Sequence, residues 1–76
     1  MAENFSFDFT GEHLVVQEGS KGWNLELNKI SWNKNPPKYD LRSWSPDHQK
    51  MGKGVTLTGE ELKKLRDLLN SIEISD

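Results

Sequence analysis

The chain has 76 residues, no cysteine, a net charge of −2, and 33% hydrophobic against 29% charged residues. Such a length makes one domain (1–76) that buries only about 60% of its unfolded surface, so a second copy of the chain is an expected source of stability. A disulfide framework and a thiolate metal site are both excluded, and no stretch approaches the ~20 apolar residues that cross a bilayer, so the expected setting is cytoplasmic with no membrane partner.

The first nine residues, MAENFSFDF, lack the basic-then-apolar pattern of a leader, and the chain is expected to be unprocessed. From Phe5 the run FSFDF alternates apolar and polar side chains, and HLVVQE continues after Thr10-Gly11-Glu12, which predicts one bent strand or two short ones. EGSKG is a turn. In WNLELNKISWN, Trp23, Leu25 and Leu27 share one parity while Ile30 and Trp32 take the other, so a bulge or strong twist is expected between them. NKNPP breaks the ladder, because its two prolines donate no amide hydrogen bond. KYDLRSW is the next strand, SPDHQKMGKG a polar loop, and VTLT a brief strand carrying Val55 and Leu57 on one side.

A helix follows at once. Thr58 and Glu61 have the spacing of a capping box, and Glu60 and Glu61 put negative charge at the positive end of the helix dipole. Leu62, Leu65, Leu68, Leu69 and Ile72 then recur in steps of three and four, which makes one apolar stripe. Leu69, Ile72 and Ile74 run past what a short sheet needs, so a dimer contact through Leu62, Leu65, Leu69 and Ile72 is expected. The fold class is α+β: a meander of four antiparallel strands, or five, followed by one C-terminal amphipathic helix that covers one sheet face.

Charge is distributed unevenly along this frame. Residues 20–54 hold seven bases against three acids, net +4, and the remainder carries −6. Strand parity puts Tyr39 and Leu41 toward the helix, and Lys38, Asp40, Arg42 and Trp44 on the uncovered face. Lys50 and Lys53 adjoin it in the glycine-containing loop, Lys34 and Lys38 flank the NKNPP tip, and Lys21 and Trp23 open the preceding strand. Cations along phosphates and flat rings under bases are what a single nucleic-acid strand requires. Parity and composition fit equally well a bland reading, in which Trp32 and Trp44 pin strand ends and the lysines keep the surface soluble. Asp40, which would repel phosphate, is expected to pair with Arg42 or a neighbouring lysine and so fix the guanidinium plane.

Enzyme chemistry has little support. His13, Asp47 and His48 have no metal-ligand spacing, and His48 is expected to be a solvated loop residue. No hydroxyl has a paired base, and GSKG and GKG are too short to cradle a phosphate at a helix start. Neither a metal nor a cofactor is expected.

The segment ISWNKNPPKYDLRSWSPDHQKMGKGVTLTGEELKKL resembles the bacterial YdbC-like proteins, small relatives of the eukaryotic transcriptional coactivator called positive cofactor four. The resemblance is carried by Asp40-Leu41-Arg42, then Lys53-Gly54-Val55-Thr56-Leu57 leading into a helix, with GSKGWNLELNKISWN also fitting. It implies a homodimer joined through its helices that binds single-stranded DNA on curved sheets with little sequence preference. The setting implied is transcription regulation, replication or repair, together with the machinery of those processes and a nucleoid-associated location. By the same resemblance Arg42 and Lys53 match residues that contact phosphates, and Trp44 falls at the strand end where bases stack. Lys21, Lys34, Lys38 and Lys50 lie in or beside loops whose lengths differ from the eukaryotic coactivator. The tip Asn33–Pro37 lacks that protein's aromatic, leaving Trp32 or a proline ring as the substitute, with Trp23 a further stacking candidate. The competing expectations are a protein-interaction module and a single-stranded RNA binder.

Overall fold

The computed structural model describes residues 6–75; Phe5, where the first alternation begins, lies outside them. Four strands, β1 (Phe7–Glu18), β2 (Asn24–Trp32), β3 (Lys38–Trp44) and β4 (Met51–Leu57), form one antiparallel sheet in the order β1-β2-β3-β4, and α1 (Gly59–Asn70) follows. This is the expected α+β meander.

The first strand is a single bent one. Its pairing with β2 shifts register between Phe9 and His13 and again between Val15 and Gln17, and Gly11 takes φ +72° at the first bend. That backbone is open to glycine and strained for most other residues. The bulge expected in β2 is not there. Pairing of β2 with β3 runs without interruption from Asn24↔Trp44 to Ile30↔Lys38, so parity is kept throughout. Leu25 and Leu27 therefore face one side, and Glu26, Asn28, Ile30 and Trp32 the other. The change of parity in the apolar residues reflects a sheet with apolar groups on both faces; the bending falls on β1 instead.

The fourth strand is longer than expected, because MGKG belongs to it rather than to a loop. Gly54 explains the pairing. It stands opposite Arg42, and a methyl group there would collide with Arg42 Cβ and with the Leu41 carbonyl. Only glycine lets the arginine side chain lie across β4 at this point.

The capping box forms as the Thr58/Glu61 spacing implies. Thr58 Oγ1 accepts from the Glu61 amide at 3.1 Å, and Glu61 Oε1 accepts from the Thr58 amide at 2.8 Å. The helix lies on the Tyr39/Leu41 side, where Leu62 shares a small pocket with Tyr39 and a second, of about 370 Å³, with Leu27, Leu65 and Leu69. It ends at Asn70, so Ile72, expected to continue the helical stripe, lies in the segment beyond. Leu65, Leu69 and Ile72 remain 39%, 44% and 59% exposed, and Val55 and Leu14 on the sheet are about half exposed. The helix thus covers its own sheet only in part.

The densest packing is on the opposite face. Ile30 and Trp44 are fully buried there, as are Asn28 and Asp40. Phe7 and Phe9 of the bent β1 close over Trp44 with ring centroids at 5.3 and 5.2 Å, and His48 of the β3–β4 loop packs on it at 5.7 Å. The face expected to be open is curled into the monomer's own core.

Candidate nucleic-acid interface

At the centre of this curled face Asp40 and Arg42, two residues apart on β3, point the same way. Arg42 Nε donates to Asp40 Oδ2 at 2.7 Å and Nη2 donates to Oδ1 at 2.8 Å, a two-point fork. Thr56 on β4 donates a third hydrogen bond to Asp40 Oδ1 at 3.0 Å. Arg42 Nη1 reaches the Gly52 carbonyl at 3.3 Å and Met51 Sδ at 3.4 Å. The guanidinium carbon lies 5.1 Å from the centre of the Trp32 ring, within the range of a cation–π contact. The expectation that Asp40 fixes the guanidinium plane agrees with this geometry.

A guanidinium has five N–H donors, and four are engaged by these contacts, which leaves one for a ligand. Arg42 is 15% exposed. Beside it opens a groove of about 330 Å³ lined by Trp32, Arg42, Met51 and Thr56. A second groove, of about 290 Å³, brings Trp23 together with Ser45, Pro46, Asp47 and Lys50. Each groove thus joins one half-buried tryptophan to a cation, Trp23 just before β2 and Trp32 at its far end, with opposite strand parity.

The loop that carries Lys50 is tightly built. Ser45 Oγ donates to Asp47 Oδ1 at 2.8 Å, the Gln49 amide donates to the same oxygen at 3.0 Å, and the Lys50 amide donates to Ser45 Oγ at 3.0 Å. The Gln49 amide is the main cause that holds the Asp47 carboxyl below its ordinary value, with the Ser45 hydroxyl next and the Lys50 charge contributing.

Lys21, Lys38, Lys50 and Lys53 are exposed and form no salt bridge among the described residues. Lys21 occupies a left-handed turn (φ 57°). Lys34 lies 3.6 Å from Asp8, an exposed contact of little energetic weight. Lys53 sits on the edge strand, where pairing with β3 shifts between Arg42 and Trp44. These cations thus come from turns and loops and from β3 and β4 rather than from one strand.

Trp44 is the principal correction. Its ring has no exposed face, because Phe7, Phe9 and His48 enclose it, so a base has nowhere to stack in this structure. Parity put Trp44 on the correct face, but the coverage of that face by β1 comes from 35 or more residues away in the chain. The solvated position expected of His48 is also corrected: it is half-buried and packs against His13. Their rings meet at 5.7 Å, and both approach Glu26, a residue with no role in the sequence reading. Only the shared parity of Glu26 with Ile30 and Trp32 signalled its inward position.

The family model of Transcriptional Coactivator p15 (PC4) matches residues 19–68, the segment that runs from the turn before β2 into α1. The chain belongs to the PC4 family. A 51% identical relative from Treponema pallidum (strain Nichols), described as an uncharacterized protein, aligns over 72 residues, covering 95% of this chain and 85% of its own length. PC4-family membership implies single-stranded DNA binding and a coactivator-like role in transcription, in a family whose members are not enzymes. Among the described residues of this PC4-family chain, no helix is long and apolar enough to cross a membrane.

Proposed function

We propose that the protein binds single-stranded DNA as a homodimer, without sequence readout, through grooves that pair an aromatic ring with a fixed or flexible cation. The observation that carries the reading is the Asp40-held Arg42 stacked on Trp32 at the edge of an open groove. A guanidinium held in this way presents its remaining donor without loss of rotamer freedom, and the neighbouring ring offers a platform for a base. Trp23 with Lys50 makes the second subsite. Lys38, Lys34, Lys21 and Lys53 supply phosphate neutralisation around them, whereas Trp44 belongs to the core.

The dimer rests on the helix side. Leu62, Leu65, Leu69 and Ile72, with Val55 and Leu14, form an apolar surface that a second copy would cover. Two copies joined there leave both curled faces outward for a strand. The process served is transcription regulation, or replication and repair, in a bacterial cytoplasm or nucleoid.

Tryptophan fluorescence during titration with oligo-dT, the matching RNA and a duplex, at low and moderate salt, tests the reading. Quenching by the single strand that weakens with salt, together with sedimentation as a dimer that Leu65→Glu converts to a monomer, is the expected result. An absence of salt-dependent binding to any single strand, with partner proteins still captured, would replace it with a protein-interaction module. Preference for the RNA over the DNA strand would change the ligand and leave the grooves in use.

A further inference from the structure

Directly cross-strand from Arg42, a buried carboxylate faces two imidazoles. Glu26 on β2 is 2% exposed; His48 Nε2 lies 3.0 and 3.1 Å from its two oxygens, and His13 Nδ1 lies 3.8 Å from Oε1. All three ligand atoms fall within 4.8 Å of one another. No lysine or arginine forms a salt bridge with Glu26 among the described residues, although a buried carboxylate is costly unless it is neutralised or paired. Asn28, fully buried and cross-strand from His13, donates to Glu26 Oε1 at 3.0 Å, while its own Oδ1 meets no donor among the described residues.

We propose that His13, Glu26 and His48 form a site for a divalent transition-metal ion of the Zn²⁺ type. Two imidazole nitrogens and one carboxylate oxygen are a donor set that suits such ions and disfavours Mg²⁺ or Ca²⁺, which take oxygen ligands. Bonds of about 2.0–2.2 Å at tetrahedral angles separate ligand atoms by about 3.4 Å. The His48–Glu26 spacings are slightly below that, the His13–Glu26 spacing slightly above, and all three ligand atoms lie within 4.8 Å, so the ion enters after rotation of the half-exposed His13 side chain toward the other two. His13 is 51% and His48 30% exposed, which gives it a route from solvent. Asn28 orients the carboxylate from behind, as outer-shell partners of metal ligands do. A water from solvent takes the fourth position, as in open three-ligand sites.

The ligands come from three separate places: the bent middle of β1, the first half of β2, and the β3–β4 loop. An ion there joins the strand that covers Trp44 to the sheet it covers. In a chain without disulfides its role is that of a staple for the curled face.

The test uses the full chain, free of any histidine tag, with Zn²⁺ and Mg²⁺ compared by isothermal titration and thermal unfolding. The proposal expects one Zn²⁺ per chain. At a free concentration about 100 times Kd, the folding equilibrium shifts about 100-fold and the midpoint rises by several degrees, with no effect of Mg²⁺. His13→Asn, at a half-exposed position, and His48→Asn should each abolish the rise. Co²⁺ should give the visible absorption of a bound low-symmetry ion in the parent but not in His13→Asn, a readout independent of folding stability. Failure of Zn²⁺ to bind at one per chain, or binding retained in full by folded His13→Asn, would overturn the site and leave a buried Glu26 paired with His48 alone.

Discussion

Arg42 grips Asp40 at two points, Nε to Oδ2 at 2.7 Å and Nη2 to Oδ1 at 2.8 Å, and the carboxylate it holds is fully buried. Thr56 adds a third bond, so removal of the carboxylate strands both a guanidinium and a hydroxyl. Asp40→Ala is expected to destabilise the fold by about 3–5 kcal/mol, the range for breaking a buried pair from one side. Urea unfolding measures it, and a loss below about 1 kcal/mol would mean that the fork is not an energetic centre.

Trp44→Ala is expected to act on stability, since the ring is enclosed by Phe7, Phe9 and His48. Truncation of a buried tryptophan costs about 3–5 kcal/mol, and Trp44→Phe should cost less because most of the volume is retained. Affinity for a single strand, corrected to the folded fraction, should stay near the parent value. A stable Trp44→Ala variant that loses DNA binding would return this ring to the interface.

Stacking and charge should separate in the grooves. Trp32→Ala is expected to weaken single-strand binding by about 1–3 kcal/mol with little change in salt slope. Lys38→Ala should lower the slope of log affinity against log salt by about 0.7, the value for one phosphate contact on a single strand. Titrations at several salt concentrations measure both quantities. The same slope in Lys38→Ala as in the parent would remove Lys38 from the phosphate path.

The loop at Ser45–Lys50 predicts an acid limb in stability. The Gln49 amide, then the Ser45 hydroxyl, hold the Asp47 carboxyl below its ordinary value of 3.8. A folded-state pKa below the unfolded one stabilises the protein above the unfolded value, and the gain is lost as pH falls through the folded one. Stability should therefore decline below about pH 4. Asp47→Asn should flatten this part of the profile, and urea midpoints across the acid range would detect it.

Much of the scaffold was legible because it is local. The 38–44 strand, the Thr58/Glu61 capping box and the Asp40–Arg42 pairing depend on residues two to four apart, a range in which backbone period and side-chain reach leave few alternatives. Tyr39 and Leu41 turned toward the helix for the same reason. The MGKG segment was misread because glycine signals a turn in isolation, whereas here Gly54 is required by the arginine across from it.

What the sequence by itself determined is thus the order of elements, their caps, and which residues share a face. Which face becomes the monomer's core was decided only in three dimensions, because it depends on β1 bending at Gly11 and carrying Phe7 and Phe9 over a ring far along the chain. That closure buried Trp44, and the same curl brought His13, Glu26 and His48 together. Periodicity assigns a side chain to a surface, but whether that surface meets water or another part of the chain is a property of long-range packing.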